Sequence, residues 1–479
     1  MSELSEIKKR SIAGVIGYGV RSFALQGIAF VASLLLAYYL TPEDFGVFFV
    51  VSSVIGLFTF LSDVGLAAAL VQKKEKPTLE ELRTTFTVQQ LLAFLIAGVL
   101  VFLTPVWRES YGFTEQGLHL LYALAGSFIL ASLKTIPSIL LERELEFNKL
   151  VFPQIIEQIV FYGITVSLAA QGYGVSSYTY AVWTRGIFGV ILMYIIRPWP
   201  IGIWFSLDAF QGLLKYGVKF QLFDLFARIK DDLLIVVIGR FLPAAEMGYV
   251  SWAKRWSVIP YQLSVQSVMS ITFPTFARLQ HEKAVLKRAI EKTMYIVSLF
   301  IFPLLMGMVI VAEPLLEIIP RYEKWLPALL SLGFFSLNIA WAAVSTPLIN
   351  TLNAIGKINE SMKLMIIWTS LTWILTPISI FFIGFHGVAL AAFLVSCSSF
   401  LTVRAVQKEI PVQVWIQVRT ALFSTMLMGV LVYGWFWFFP TRLSVVIGGI
   451  ILGALSYPVM VWFIDRDKLT KEFRSLRSR

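Results

Sequence analysis

The chain has 479 residues, of which 57% are hydrophobic and 14% are charged, whereas soluble globular chains carry roughly 25% charged residues. The mean hydropathy of +0.76 is that of an integral membrane protein, and no stretch between the apolar runs is long enough for a sizeable soluble domain. The net charge of +11 does not indicate nucleic-acid binding, because the basic residues crowd alternate loops, as the positive-inside rule requires. We therefore expect membrane lipid as a partner and no nucleic acid.

Apolar runs of about 20 residues, the length that crosses the ~30 Å hydrocarbon core of a bilayer, recur from end to end. They predict an all-α integral membrane protein with about fourteen transmembrane helices. Basic clusters near both termini, together with the even number of crossings, place both termini in the cytoplasm and the protein in the cytoplasmic membrane. The predicted spans are Val15–Leu40, Phe45–Val71, Phe86–Val106, Leu118–Leu141, Val151–Ala170, Val175–Ile196, Leu213–Leu242, Gly248–Ala277, Met294–Ala312, Leu326–Leu352, Leu364–Ile383, Val388–Arg404, Thr420–Phe439 and Leu443–Ile464.

The chain contains an internal repeat. Residues 18–21 (YGVR) and 40–46 (LTPEDFG) resemble residues 216–219 (YGVK) and 242–248 (LPAAEMG). Because an even number of spans separates the copies, both enter the membrane in the same direction, as parallel repeats do. The predicted organisation is two parallel six-helix lobes plus two C-terminal helices: an N-terminal lobe (1–200), a cytoplasmic linker (201–212), a C-terminal lobe (213–405), and two additional helices with a basic tail (406–479).

The seventh predicted span is the most highly charged. One face of it would hold Asp224, Arg228, Asp231 and Asp232, whereas Lys230 would point away from that face. Each charge at bilayer depth costs about 2.5 to 3.5 kcal/mol on insertion scales, so a charged face implies a polar cavity or partner helices. Asp224, Arg228 and Asp231 are the strongest candidates for the wall of that cavity.

A second polar face lies on the second predicted span, where Ser52, Gly56, Thr59 and Asp63 follow one another at helical spacing. Small residues such as Ser52 and Gly56 suit close helix packing. The Asp63 carboxylate is too short to reach the cytoplasmic surface, which predicts a buried partner or access to water. Arg21, in the first span, either extends to the cytoplasmic headgroups or lines the same cavity.

A third set of polar and aromatic side chains occupies the eighth predicted span, in which a proline predicts a kink. Arginine binds phosphate through paired hydrogen bonds, lysine supplies a compact positive charge, and flat aromatic rings stack on sugars. The set therefore predicts a surface for phosphate and sugar. The alternative is that its tryptophans belong to the outer aromatic belt and its cations extend to headgroups. Its members are Ser251, Trp252, Lys254, Arg255, Trp256, Tyr261, Gln262 and Gln266.

Three more charges lie in spans four to six. Lys134 is near enough to the cytoplasmic end of its span to extend its ammonium group to the headgroups, so we place it outside the main site. Glu157 and Arg185 favour a structural pair between the fifth and sixth helices. Because the last four spans hold almost no charge between their ends, the polar positions of the other spans predict a wet cleft between two lobes.

Several short motifs occur in order along nearly the whole chain: Leu40-Thr-Pro-Glu-Asp-Phe-Gly46, Asp63-Val-Gly-Leu66, Arg143-Glu-Leu-Glu-Phe-Asn-Lys149, Gln171-Gly-Tyr-Gly174, Phe273-Pro-Thr-Phe-Ala-Arg-Leu-Gln280, and Glu313-Pro-Leu followed by Lys324-Trp-Leu-Pro-Ala328. In this order they resemble the lipopolysaccharide, capsule and teichuronic-acid branch of the multidrug/oligosaccharidyl-lipid/polysaccharide exporter superfamily. The resemblance implies a two-lobe helical transporter, not an enzyme. It would move an undecaprenyl-diphosphate-linked oligosaccharide from the cytoplasmic to the outer leaflet by alternating access, with ion coupling.

The resemblance and the polar positions together assign candidate roles. A lipid-linked oligosaccharide brings a diphosphate that needs cations and sugars that need polar and aromatic walls. We expect no cofactor and no metal site, and a polysaccharide polymerase and glycosyltransferases as functional neighbours. The substrate-binding candidates are Arg21, Arg228, Lys254, Arg255, Gln262, Gln266, Trp252, Trp256 and Tyr261. The acidic candidates, which either hold the cations apart or bind a coupling proton or sodium ion, are Asp63, Asp224, Asp231 and Asp232.

Three other functions stay open at this point. A drug or metabolite exporter of the same superfamily would use the acidic residues as cation sites, although cations are at least as prominent here as carboxylates. A membrane polysaccharide polymerase or glycosyltransferase would need a substantial extramembrane domain to hold its catalytic groups. A scaffold without transport would leave the charged spans unexplained.

Overall fold

The computed structural model describes residues 25–63, 65–214 and 228–477, and every regular element within those ranges is helical. In chain order the α-helices are α1 (Leu25–Tyr39), α2 (Pro42–Asp63), α3 (Leu66–Gln72), α4 (Leu79–Phe102), α5 (Thr104–Tyr111), α6 (Glu115–Arg143), α7 (Phe147–Ala170), α8 (Ser176–Ile196), α9 (residues 207–214), α10 (Leu234–Ile238), α11 (Ala244–Tyr261), α12 (Ser267–Leu279), α13 (Lys283–Ile318), α14 (Leu329–Ala354), α15 (Ile358–Ile383), α16 (His386–Cys397), α17 (Phe400–Gln407), α18 (Val414–Phe438) and α19 (Leu443–Arg477).

Eleven helical segments in the described ranges are long and apolar enough to cross a membrane. The remaining predicted spans, the first, seventh and eighth, also hold helix in their described parts, as α1, α10, and α11 with α12. The all-α integral membrane fold predicted from the sequence is therefore confirmed. The seventh and eighth spans each contain a π-helical turn, Ile229–Leu233 before α10 and Gln262–Gln266 before α12, and such turns are frequent at functional sites.

The second predicted span is broken, which corrects the continuous helix expected for Phe45–Val71. Helix α2 ends at Asp63 and α3 begins at Leu66, and Gly65 between them has a φ of +78°. Glycine adopts this left-handed conformation at little cost because it has no Cβ. The Asp63-Val-Gly-Leu66 motif therefore encodes a helix break.

Arg143, at the end of α6, holds the far end of α3. Its guanidinium donates hydrogen bonds to the backbone carbonyls of Leu70, Val71, Lys73 and Glu75. The last carbonyls of a helix have no partner within it, and a cation is favourable beside them. The arginine of the predicted motif at 143–149 thus fixes the short helix that follows the break.

The connector after α8 is ordered against α4. The backbone N–H groups of Trp204 and Ser206 donate to the hydroxyls of Thr87 and Thr84, both at 3.1 Å. Helix α9 follows, whereas the Trp204 side chain remains exposed. An exposed tryptophan beside a docked backbone suits contact with the membrane interface.

The chain divides into two compact units between Gly248 and Tyr249. One core cluster of the first unit joins α3, α4 and α6, and a core cluster of the second unit joins α12, α13 and α14. The division lies beyond the linker predicted at 201–212, because the described end of the seventh span packs on α2 within the first unit. The lobe boundaries drawn from the repeat stay a prediction.

The two repeated turns meet within the first unit. A Cβ added at Gly46 would lie 1.7 Å from the carbonyl oxygen of Ala244, and one added at Gly248 would lie 1.7 Å from the carbonyl oxygen of Pro42. Neither space can hold a side chain, since a Cβ does not approach another atom so closely. This reciprocal backbone contact explains why both copies of the repeat end in glycine.

The last two helices join the second unit. Helix α18 packs against α13 and α19, and its Val418 and Ala421 belong to the core cluster of that unit. The α19 backbone departs from helical geometry at Asp465, directly after the predicted end of the last span. Thr420 donates its hydroxyl to the Asp465 carboxylate at 3.2 Å, which ties this end of α19 to α18.

Candidate functional site

Arg228 joins the seventh span to α2. Its Nη1 donates to the carbonyl oxygen of Gly56 at 2.6 Å and lies 3.5 Å from Oδ2 of Asp232, in an i,i+4 ion pair. A backbone carbonyl has two lone pairs, so the Gly56 oxygen can accept this bond in addition to one within its helix. Arg228 and Asp232 are thus held against a neighbouring helix with 25% and 29% of their side chains exposed.

Gly56 allows this close approach. A Cβ at position 56 would stand 2.6 Å from Oδ2 of Asp232. On the same predicted face of α2, Thr59 donates its hydroxyl to the carbonyl of Ile55 at 3.0 Å. The small-residue face predicted for the second span and the charged face predicted for the seventh are therefore in contact.

The carboxylates pair differently from the expected arrangement. Asp232 faces Arg228, whereas the Asp231 side chain is 56% exposed and lies 3.6 Å from Lys230. We predicted that Lys230 points away from the acidic residues. Instead, its ammonium group lies beside the Asp231 carboxylate. The reason is the π-helical turn, whose i to i+5 bonding adds a residue to the turn and rotates the faces expected for a regular α-helix.

Several candidates cannot be placed. Arg21 and Asp224 lie outside the described residues, and the side chains of Asp63 and Gln266 lie outside the described part as well. Their roles stay predictions.

The tryptophans of α11 belong to an aromatic group of the second unit. Trp252 is only 4% exposed and stacks on Trp325, with ring centroids 5.5 Å apart and planes 10° apart. Trp256 tilts against Trp252 at 6.0 Å. Because stacking on a sugar needs an accessible ring face, Trp252 is a packing residue in this conformation and not the exposed wall that we expected.

The polar candidates of the eighth span differ in exposure. Arg255 is exposed and Lys254 is half-buried. The Tyr261 hydroxyl hydrogen-bonds to that of Thr346 on α14 at 3.0 Å. Gln262 then begins the π-helical turn, close to where the sequence predicts a kink. Arg255 is therefore the cation of this set best exposed to a ligand.

Lys134 and Glu157 form an ion pair that the sequence reasoning missed. Lys134 Nζ on α6 donates to Glu157 Oε1 on α7 at 2.6 Å, and the side chains are only 18% and 16% exposed. A Cβ at Gly189 of α8 would lie 2.0 Å from the same oxygen. Contrary to the prediction, Lys134 does not extend to the headgroups, because the carboxylate of the adjacent helix neutralises it at depth.

The pair expected between Glu157 and Arg185 takes a looser form. The Arg185 guanidinium lies 4.9 Å from the centre of the Phe161 ring and interacts with Glu157 through longer-range electrostatics. One signal could have revealed the arrangement: spans four, five and six each hold one charged residue between their ends. Isolated charges on consecutive spans are candidates for mutual neutralisation.

Two cavities open beside α3. One, of about 580 Å³, lies between α3 and α6 and includes Lys134. The other, of about 420 Å³, lies between α3 and residues 208–213 and includes Lys73 and Glu81, which form an ion pair at 2.6 Å. Both cavities border the short helix that follows the break at Gly65.

Comparison with known proteins connects this geometry to a family. Residues 35–329, more than half of the chain, match the model of the polysaccharide biosynthesis protein family. The chain belongs to this family. The matched segment includes α2, the Arg228 contact and most of the other candidate residues, which therefore lie within the part of the chain that the family shares.

Three curated relatives of this family member come from different bacteria. The succinoglycan biosynthesis transport protein ExoT of Rhizobium meliloti is 24% identical over 353 residues, which are 73% of this chain and 71% of the relative. The lipopolysaccharide biosynthesis protein WzxC of Escherichia coli is 25% identical over 376 residues, 76% and 74% of the two chains. The teichuronic acid biosynthesis protein TuaB of Bacillus subtilis is 25% identical over 322 residues, 67% and 65% of the two chains.

Solved structures share the fold of this family member. The lipid II flippase MurJ in an inward closed conformation has a TM-score of 0.76 at 15% identity and covers 96% of this chain and 100% of its own. An inward-facing multidrug resistance MATE family transporter of the MOP superfamily has a TM-score of 0.61 at 12% identity, covering 82% and 98%. The resemblance stated from the motifs is confirmed: the chain is a multi-pass membrane transport protein of polysaccharide biosynthesis, not an enzyme.

Proposed function

We propose that this transport protein flips an oligosaccharide linked to undecaprenyl diphosphate from the cytoplasmic to the outer leaflet of the cytoplasmic membrane. Its family and the polysaccharide biosynthesis roles named for its relatives support this substrate class. Both termini face the cytoplasm in the proposal, which rests on the distribution of the basic loops. Glycosyltransferases would supply the substrate and a polysaccharide polymerase would consume it.

The observation that carries the proposal is the Arg228 contact. An arginine at membrane depth needs compensation, and here Asp232 and a backbone carbonyl provide it. The Arg228–Asp232 ion pair is long, at 3.5 Å, compared with about 2.7–2.9 Å for a tight charge-assisted bond. A phosphate can therefore replace Asp232 at small cost, and a guanidinium binds phosphate oxygens through two parallel bonds.

We also propose a substrate-binding role for polar residues of the second unit, considered by itself. The exposed Arg255 and the half-buried Lys254 offer further positive charge, and the Gln262 amide and the Tyr261 hydroxyl suit sugar hydroxyls. The polyprenyl tail needs no polar site because it can stay in the lipid.

The Arg228–Asp232 pair also offers a route to ion coupling. When a phosphate binds Arg228, the Asp232 carboxylate loses the attraction of this one cation, which favours the binding of a proton or a sodium ion. Substrate binding and ion binding are then linked, as coupled alternating access requires. Asp63 and Asp224 are the other candidates for this coupling role.

The test is a flipping assay in proteoliposomes with fluorescent undecaprenyl-diphosphate-linked oligosaccharide of the native pathway. A membrane-impermeant reductant bleaches accessible label, so movement between leaflets appears as loss of the protected fraction. We expect protein-dependent movement that a proton or a sodium gradient accelerates. No movement of the native substrate under either gradient, with correctly folded protein, would overturn the proposal.

A further inference from the structure

A second charged group belongs to α6, α7 and α8, and no step of the proposed function uses it. It consists of Lys134, Glu157 and Arg185, one on each helix, and all three helices are membrane-span candidates. The group holds two positive charges and one negative charge. Its net charge within the described structure is therefore +1.

The two cations of this group have unequal partners. Lys134 is bonded to Glu157 at 2.6 Å, whereas Arg185 has, among the described residues, no hydrogen bond or ion pair and lies against the Phe161 ring. Arg185 still interacts with Glu157 at longer range. One carboxylate thus serves two cations, which is more positive charge than a purely structural pair needs.

Lys134 also lines the cavity of about 580 Å³ beside α3. That volume lies within the roughly 300–1,000 Å³ range of small-molecule sites. Gln72, Thr135 and Ser138 add hydrogen-bonding groups to its wall, and Glu142 completes the polar lining. Glu142 lies about two helical turns, or roughly 12 Å, along α6 from Lys134, so the acid and the ammonium group occupy opposite ends.

We propose that this cavity binds the anionic group of a ligand, a phosphate or a carboxylate, at Lys134. The anion replaces Glu157 as the partner of the Lys134 ammonium group. Arg185 then continues to compensate the negative charge of Glu157. Without Arg185 the exchange would leave an uncompensated carboxylate at membrane depth. The second cation is therefore what makes the exchange of partners feasible.

The natural source of the anion, the diphosphate or an acidic sugar of a lipid-linked oligosaccharide, rests on the proposed function. Anion binding itself does not rest on it. An equilibrium binding measurement therefore separates the two, because it can succeed where flipping fails.

The experiment uses full-length protein in phosphatidylcholine nanodiscs, titrated with inorganic pyrophosphate in a calorimeter. We expect saturable binding that Lys134→Gln weakens by about tenfold or more, because a charge-assisted hydrogen bond is lost. Glu157→Gln should strengthen binding, since both cations then lack a competing carboxylate. The control is Lys149→Gln, which removes an exposed lysine paired with Glu146 and should bind as the wild type does.

A double variant protects the test against misfolding. Lys134→Gln/Glu157→Gln leaves no unpaired carboxylate and should show the same loss of affinity as Lys134→Gln alone. A purely structural pair would shift the melting temperature of these variants and leave the affinity for pyrophosphate unchanged. Unchanged affinity in the folded variants, or wild-type protein that binds neither pyrophosphate nor glucuronate, would overturn the proposal.

Two further arms identify the source of the anion. Glucuronate replaces pyrophosphate in one, and phosphatidylglycerol replaces part of the phosphatidylcholine in the other. Tighter binding of pyrophosphate assigns the site to phosphate, and tighter binding of glucuronate assigns it to an acidic sugar. If phosphatidylglycerol weakens pyrophosphate binding to the wild-type protein but not to Lys134→Gln, the site binds a lipid headgroup.

Discussion

Two ion pairs in the membrane spans share one arrangement and differ in the distance between their charged groups. Arg228–Asp232 and Lys134–Glu157 each press a carboxylate against a glycine of a neighbouring helix, Gly56 or Gly189. The first pair lies within one helical segment at 3.5 Å, and the second joins two helices at 2.6 Å with less exposed side chains.

The geometry of each pair determines whether it can change partners. A looser pair on one helix, anchored to the next helix through a carbonyl, can change partners without separating helices. A tight pair between helices contributes to their association. It can change partners only where a second cation lies near the carboxylate, as Arg185 lies near Glu157. Charge in a membrane span is therefore poor evidence for a binding site until the partner and its distance are known.

Removing one member of the tighter pair should have the largest effect on stability. Among the described residues, Lys134→Met leaves the more distant Arg185 as the remaining cation near Glu157. We expect a loss of about 3 kcal/mol in the free energy of unfolding, since breaking a buried pair is costly. Lys134→Met/Glu157→Gln should recover part of that loss. Chemical denaturation in detergent measures both. Equal stability of wild type and Lys134→Met would show that the pair contributes nothing.

The two glycines provide the next comparison. A Cβ at Gly189 meets the Glu157 carboxylate at 2.0 Å, and one at Gly56 meets the Asp232 carboxylate at 2.6 Å. Overpacking typically costs about 1–3 kcal/mol, and we expect Gly189→Ala near the upper end and Gly56→Ala near the lower end. Melting temperatures under the same conditions give the order, and the reverse order would contradict it.

Replacing the two carboxylates of the seventh span should have different effects on the flipping rate. Asp232→Asn removes the partner of Arg228, and we expect it to slow flipping by about tenfold, the loss of one charge-assisted bond. Asp231→Asn changes an exposed side chain and should stay within about twofold of wild type. Initial rates in proteoliposomes compare them. A larger effect at Asp231 than at Asp232 would contradict this assignment.

An exposed pair outside the spans gives the smallest expected effect. Lys357 and Glu409 lie 2.8 Å apart, and their hydrogen bond raises the pKa of Lys357 and lowers the pKa of Glu409. A lowered carboxyl pKa stabilises the fold above its unfolded value, and the contribution disappears as the pH falls through the folded value. The melting temperature of Glu409→Gln should thus fall slightly below that of wild type at neutral pH and converge with it once the pH is below the lowered pKa of Glu409. A difference that persists in acid would assign the effect to packing.

The fold could be predicted because the sequence features that indicate it are local. Span length and the basic loops depend on residues close together in the sequence, and the repeat is recognised by comparing short motifs with each other. The repeat also identified Gly46 and Gly248 as equivalent positions, and the structure shows each of them in contact with the turn of the other. The break at Gly65 was missed because a glycine in an apolar run does not reveal its φ in advance.

The candidate site could be predicted only in part, because some of its contacts lie within one helical segment and others depend on which helices become neighbours. Arg228 and Asp232 lie on one segment, so their proximity follows from helical spacing. The sequence did not show that Asp232 rather than Asp231 pairs with Arg228, because a π-helical turn rotates the faces. The Lys134–Glu157 pair depends on which helices become neighbours, and Trp252 depends on a partner at position 325. Neither fact is contained in the spacing along one span.

The proposed role of Arg228 can be measured as the initial rate at which Arg228→Ala flips labelled undecaprenyl-diphosphate-linked oligosaccharide in proteoliposomes. Arg108→Ala, which removes an exposed arginine paired with Glu115, is the matched control. If Arg228 receives the diphosphate, its variant flips at least about tenfold more slowly, and the control flips as the wild type does. Equal rates for folded Arg228→Ala and wild type would contradict the account.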